Sequence, residues 1–214
     1  MRSARALLAT AFALGISAFG IARGVAHTIP SDGVQRSPAG EFLDLNGQPL
    51  KPFEPAGPAG VIFFVATDCP ISNSYAPEIQ NICREYQSRG VSCSLAYEDL
   101  DLTNSSTRLN ESVRKHVNEF RYTGIPAGVD SSRAIARRAK ATVTPQAVVV
   151  DHAGKIRYRG RIDNFYAALG TTRRQVTEHD LRAALDSVLS GRAVAKAETE
   201  ALGCYIVDPA ELRK

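Results

Sequence analysis

An α/β fold, with a mixed β-sheet flanked by helices and an N-terminal β-hairpin extension, is predicted by three features of this sequence. Residues 61–66 (Val-Ile-Phe-Phe-Val-Ala) form a continuous apolar run, the pattern of a strand buried on both faces. Strand-like and helix-like periodicities alternate after it. An amphipathic helix, with Leu181, Ala184, Leu185, Val188 and Leu189 on one stripe, follows the last strands. The 214 residues, 44% hydrophobic and 22% charged, suit one domain with a real core and exclude disordered, collagen-like and low-complexity classes.

The elements follow in order. Residues 42–50 have strand-like ends around Asn46-Gly47, a strong hairpin signal. After the buried strand, Tyr75, Ile79, Ile82, Cys83 and Tyr86 recur at helical spacing, and Gly90 ends that helix. Residues 91–97 read as a second strand. Leu109, Val113, Val117 and Phe120 mark one face of a second helix, and residues 132–139 a shorter one. Residues 146–150 are a strand that turns through Asp151-His152-Ala153-Gly154 into residues 155–161. Thr177, with Asp180 three residues on, reads as the N-cap of the last helix, and Gly191 lies just past its end.

The first 26 residues set the compartment. Arg2 and Arg5 precede an uncharged stretch of Ala, Leu, Phe and Ile, and small residues stand before cuts after Ala22 or Ala26. This is the layout of a secretory signal peptide; the alternative, an uncleaved anchor, is served poorly by a run of about 17 residues rich in Ala and Gly. The expected organisation is a signal over 1–26, a loose segment over 27–40, the domain over 41–192 and a tail over 193–214. The net charge of +4 falls to +2 or +1 once the signal arginines leave, so the balance gives no case for nucleic acid. The mature chain is expected to be secreted or periplasmic and not membrane-spanning, in a space where disulfides persist.

Cys69 is the centre of the expected chemistry. It stands between the buried strand and the first turn of a helix, where unpaired N–H groups favour a thiolate. Pro70 suits the first helical position because its missing N–H has no partner there. Ser72 can turn its hydroxyl toward the sulfur, while the neighbouring Asp68 opposes a negative sulfur. The alternative is a buried, inert cysteine at a strand end.

Residues 64–72 (Phe-Val-Ala-Thr-Asp-Cys-Pro-Ile-Ser) resemble the strand and active-site segment of the thioredoxin superfamily, with Ser72 where the second Cys of a C-x-x-C stands. Pro77 matches a proline that kinks this helix in thioredoxins. Residues 143–151 with Gly154 resemble the strand whose Thr-Pro bond is cis and lies against the active Cys, here Thr144-Pro145. The opening hairpin resembles that of extracytoplasmic redoxins and of the alkyl hydroperoxide reductase/thiol-specific antioxidant group. The resemblance covers roughly residues 40–190. It implies a thioredoxin-like fold and a thiol-dependent oxidoreductase, with Thr144 and Pro145 shaping a substrate groove and a thiol or disulfide protein, or a peroxide, as substrate.

Departures from those patterns narrow the reaction. Asp68 replaces the usual Trp, and Ser72 removes the resolving thiol, so Cys69 alone attacks a disulfide but does not release the mixed disulfide. The P-x-x-x-[ST]-x-x-C of typical peroxiredoxins has Ile62 and Ala66 at its two defining positions, and a C-x-x-x-C of copper-delivery members meets Asn73. Thiol-disulfide exchange and peroxide reduction therefore stay balanced. A non-catalytic thioredoxin-fold binding or assembly module is the rival class. No residue pattern implies a cofactor, and the reductant is unspecified.

Three cysteines remain. Cys204, beside Gly203 in the tail, either folds back to resolve Cys69, stays a free thiol or bridges to another chain. Cys83 and Cys93 flank the turn at Gly90, each about 10 Å along its element, so they pair as a structural disulfide or stay as two buried thiols. Lys155, Arg157, Arg159 and Arg161 alternate along a strand, as a solvated edge or a dock for an acidic partner. The loop 163–176 is long enough for a lid or docking surface. His116 lies on a core-edge stripe, and His27, His152 and His179 show no metal-ligand spacing.

Overall fold

The computed structural model describes residues 42–101, 105–209 and 211. The signal-like segment, its two cut sites and the 27–40 lead-in lie outside the described residues. In chain order the elements are β1 (Ala59–Val65), α1 (Pro70–Ser74), α2 (Ala76–Gln87), β2 (Val91–Tyr97), α3 (Ser106–Glu119), β3 (Ala127–Val129) and α4 (Ala134–Ala139). They continue as β4 (Val143–Thr144), β5 (Gln146–Asp151), β6 (Ile156–Gly160), β7 (Tyr166–Ala168), β8 (Thr171–Thr172), α5 (Asp180–Leu189) and β9 (Cys204–Tyr205).

Five strands form the sheet in the order β3-β2-β1-β5-β6. β1 to β2 and β2 to β3 are parallel, joined by helical crossovers, whereas β1 to β5 and β5 to β6 are antiparallel. The apolar run becomes the central strand because both its faces are covered, and all seven β1 residues are buried. Its odd positions, Val61, Phe63 and Val65, pack with Ile79, Ile82 and Tyr86 of α2 and with Leu181, Ala184 and Leu185 of α5. Its even positions, Ile62 and Phe64, pack with Phe42, Phe53 and the α4 alanines Ala136 and Ala139. The period of two along one strand thus divides the core into two layers.

Some local features differ from the sequence reading. Residues 42–50 close through a single antiparallel bridge, Leu43 to Pro49, around Gly47 at φ 79°. Asp44 holds this turn, its Oδ1 accepting from the Asn46 and Gln48 amides at 2.8 Å. Thr177 does not cap α5: His179 takes the cap position, and Thr177 instead exchanges hydrogen bonds with Asn164. A bulge at Arg157 shifts the β5–β6 register, so Ile156 packs in one core layer and Tyr158 in the other. The arginine row meets acids of its own chain: Arg157 pairs with Asp151, Arg159 with Glu198, and Arg161 with Asp180 and Glu178. The loop 163–176 carries the small β7–β8 hairpin.

After α5 the chain runs back across the domain. Residues 197–199 line the β6 edge, where the Arg159 amide donates to Ala197 O at 3.0 Å and the Thr199 amide to Arg159 O at 3.1 Å. β9 then pairs antiparallel with β4, Val143 opposite Tyr205 and Thr144 opposite Cys204. Among the described residues no helix is long and apolar enough to cross a membrane.

Candidate active site

β1 delivers the chain to Thr67, and Cys69 becomes the N-cap of α1 with extended backbone, φ −90° and ψ 107°. Pro70 follows in the first turn, where no N–H is needed. α1 ends at Ser74, and α2 restarts with Pro77 in its first turn, because Pro77 has no N–H to continue the ladder. Cys69 is fully buried, at 0% exposure. Its sulfur accepts from the Ser72 amide at 3.4 Å and donates to Thr144 O at 3.0 Å. The peptide bond after Thr144, to Pro145, is cis.

The Ser72 contact is made by its backbone N–H and not by its hydroxyl. Helical geometry turns the third amide after the cap toward the cap side chain. The Ser72 hydroxyl is buried and makes no hydrogen bond among the described residues.

β9 sets Cys204 opposite Thr144, beside the carbonyl that Cys69 touches. Gly203 is required for this approach, since a Cβ there would overlap Thr144 O. Cys204 is exposed. Partial burial, then a hydrogen bond with Cys69 and the charges of Cys69 and Asp68, push its thiol up to about 12. Both cysteines are thiols here. The tail is held further along by the Ile206 amide on Thr142 O at 2.9 Å, by Arg133 Nε on Val207 O at 3.0 Å and by the Arg137–Asp208 pair at 2.8 Å.

The loop carrying Cys69 is braced by Asp99, which the sequence reading did not single out, and by Asn73 and His116, which it named in other roles. Asp99, at the end of β2, accepts from the Thr67 amide at 3.1 Å and from the Thr67 hydroxyl. Asn73 donates to Thr67 O at 3.1 Å and accepts from His116 Nε2 at 2.8 Å, while Tyr97 OH reaches His116 Nδ1 at 2.9 Å. Burial lowers the His116 pKa, which favours the neutral ring. Behind this lies buried Arg133, which donates to the carbonyls of Glu98, Asp99, Asp130 and Val207. Glu98 sits 3.4 Å from Arg133, and among the described residues nothing donates a hydrogen bond to its carboxyl oxygens; burial first, then the Asp130 charge, push its pKa up against the pull of Arg133. The sequence did hold a signal: Glu98-Asp99 directly follows a buried strand, where acids are costly unless partnered.

Cys83 and Cys93 are placed apart from this site, in the core layer between α2 and β2. Their sulfurs lie at bonding distance with Cα atoms 5.9 Å apart, a separation that a disulfide spans. Two cavities flank the tail. One, of about 290 Å³, is lined by Tyr75, Pro145, Ile162, Tyr166, Arg173 and Leu202. The other, of about 500 Å³, is lined by Lys140, Arg159, Leu169, Glu198, Gly203 and Tyr205, among others. Among the described residues no group of His, Cys, Asp and Glu is placed to hold a metal ion.

The model of the AhpC/TSA family matches residues 35–159 of the chain. A search of curated proteins finds no match. Among solved structures, a hypothetical protein of Sinorhizobium meliloti 1021 is 26% identical at a TM-score of 0.65, covering 78% of this chain and 88% of that one. An uncharacterized conserved protein of Geobacillus kaustophilus is 25% identical, also at 0.65, covering 78% and 86%. With a mixed sheet of thioredoxin-like order and a cysteine at the strand-to-helix junction, the chain belongs to the AhpC/TSA family of thioredoxin-fold, thiol-dependent oxidoreductases.

Proposed function

We propose that this protein is an exported redoxin whose working pair is Cys69 and Cys204, with Cys69 as nucleophile and Cys204 as resolving thiol. The observation that carries this reading is the β4–β9 pairing. It puts Cys204 opposite Thr144, whose carbonyl is in contact with the Cys69 sulfur. The cysteine missing from position 72 is thereby supplied from the far end of the chain.

Both reactions of such a site run through one intermediate. With a disulfide substrate, the Cys69 thiolate attacks one sulfur and expels the other as a thiolate. The Cys204 thiolate then attacks the Cys69 sulfur, releasing the second substrate thiolate and leaving a Cys69–Cys204 disulfide. With a peroxide, the Cys69 thiolate takes the terminal oxygen, an alcohol or water leaves, and Cys204 condenses with the sulfenic acid to release water. The Ser72 amide supports the negative sulfur of Cys69, and the Ser72 hydroxyl, with no hydrogen bond among the described residues, is free to turn toward it. Thr144 and Pro145 line the approach, the latter as a wall of the smaller cavity. Export rests on the basic-then-apolar pattern of the first 26 residues, and Cys83–Cys93 serves as a structural disulfide in that compartment.

The test separates single from multiple turnovers. With a dithiol protein added as reductant, the parent should turn over repeatedly, Cys204→Ser should consume about one equivalent of hydrogen peroxide or of a model disulfide and then stop, and Cys69→Ser should consume none. Sustained turnover by Cys69→Ser would end this reading.

A further inference from the structure

Arg133 is buried, at 1% exposure, and among the described residues all its hydrogen bonds go to backbone carbonyls. Nη1 donates to Asp130 O at 2.7 Å, Nη2 to Glu98 O at 3.0 Å and Asp99 O at 3.2 Å, and Nε to Val207 O at 3.0 Å. The guanidinium is a rigid fork of five N–H groups, so these acceptors fix it from three separate segments. Its backbone is unusual too. Arg133 is the N-cap of α4 at φ 57°, in the left-handed region that favours Gly or Asn, and its side chain makes no cap bond there. That conformation has a cost, which the four carbonyl contacts offset.

Two of the three segments lead to the working cysteines. Asp99 holds Thr67 by its amide and its hydroxyl, two residues before Cys69. Val207 lies three residues past Cys204. One guanidinium thus joins the Cys69 loop to the Cys204 tail, but the two do not depend on it equally. The loop continues directly from buried β1, and Asn73 also holds Thr67 O at 3.1 Å. The tail past Cys204 has the Ile206 amide on Thr142 O and the Arg137–Asp208 pair, and an ion pair open to water contributes little. The bond from Arg133 to Val207 is charge-assisted and comes from a buried donor, which makes it the stronger tie.

We propose that Arg133 is the positioning residue of the resolving step, holding the tail so that Cys204 meets the Cys69 sulfur. It acts through the backbone and not on the sulfurs themselves. The proposal rests on the Cys69–Cys204 reading. The first step, attack by Cys69 on its substrate, draws on the Ser72 amide and is independent of where the tail lies. The second step is intramolecular, and a misplacement of about 1 Å there costs about a hundredfold. Loss of Arg133 therefore separates the two steps.

The experiment times both steps in the full chain with Cys69 and Cys204 reduced. Saturating hydrogen peroxide or oxidised 2-mercaptoethanol is added, samples are quenched in acid, and free thiols are alkylated before peptide mass mapping. Loss of the Cys69 thiol reports attack, and appearance of the Cys69–Cys204 disulfide reports resolution. Arg133→Gln should leave attack within about twofold of the parent and slow resolution by about tenfold or more. Arg133→Lys, which keeps the charge but not the fork, should fall between. A second protein leaves Arg133 in place: the chain joined by ligation at Gly203-Cys204, with an ester replacing the amide between Val207 and Asp208. The ester carbonyl is a weaker acceptor, and resolution should slow by about threefold. This protein decides the matter if the Arg133 variants do not fold. Resolution at the parent rate in a folded Arg133 variant or in the ester protein, or equal slowing of both steps, overturns the proposal. A parent chain that forms no Cys69–Cys204 disulfide with either oxidant overturns instead the function on which it rests.

Discussion

The four cysteines of this chain fall into two neighbourhoods that are built in opposite ways. Cys83 and Cys93 are ten residues apart, on a helix and the strand that follows it, and both are enclosed in the core layer between α2 and β2. Cys69 and Cys204 come from opposite ends of the domain and meet at a seam, one buried and the other exposed. The first pair lies in one buried apolar cluster with Ile79, Ile82, Tyr86 and Leu95. The second is framed by the Ser72 amide, the Thr144 carbonyl and a strand that Arg133 and Arg137 hold in place. Enclosure by apolar side chains makes sulfur inert and structural, whereas an amide donor, a neighbouring thiol and a path to solvent make it reactive.

That contrast can be broken most sharply at Gly203. Gly203→Ala places a methyl group where Thr144 O stands and forces β9 away. The rate of forming the Cys69–Cys204 disulfide, followed by quenched mass spectrometry, should fall by about tenfold to a hundredfold. Cys83 and Cys93 should be unaffected.

Replacing the inner pair tests the other half. Cys83→Ser with Cys93→Ser removes a cross-link that closes a short loop and should lower unfolding stability by about 2–3 kcal/mol in urea denaturation. The consumption of peroxide or disulfide by Cys69 and Cys204 should persist in the folded variant. Equal stability would remove the structural role.

The smallest effect concerns the anchor behind the tail. Glu98 is pushed from 4.5 up to about 9, chiefly by burial. The folded state therefore keeps a proton that the unfolded chain releases, and stability falls as pH rises from about 4.5 toward about 9. Glu98→Gln cannot titrate, so denaturation midpoints measured at about pH 5 and about pH 8 should lie closer together than in the parent. A wider gap would mean that Glu98 is charged beside Arg133 and gains stability from that pair.

What could be read from the sequence was local. The β1 run, the α2 stripe and the position of Cys69 before Pro70 are each decided by residues within one turn or one strand of each other. The even reach of helix and strand from Gly90 likewise made Cys83 and Cys93 plausible neighbours before any fold was known. Thr177 misled because a hydroxyl three residues before Asp180 is a sound cap signal, yet Asn164 holds that hydroxyl elsewhere. At Ser72 the contact to the sulfur is made by the backbone amide, which the helix turn sets whatever the side chain, so the residue type at position 72 did not encode it. The docking of β9, the brace of Asp99, Asn73 and His116, and the acids facing the arginine row are contacts between distant segments, which no periodicity encodes.

The central claim is that Cys69 works with Cys204 and not with Cys83, Cys93 or a second chain. Non-reducing peptide mapping of the mature protein after one equivalent of hydrogen peroxide tests it most directly. A Cys69–Cys204 cross-linked peptide within a monomer is expected, alongside Cys83–Cys93. Cys204 recovered as a free thiol, or in a bond between two chains while Cys69 is oxidised, would contradict it.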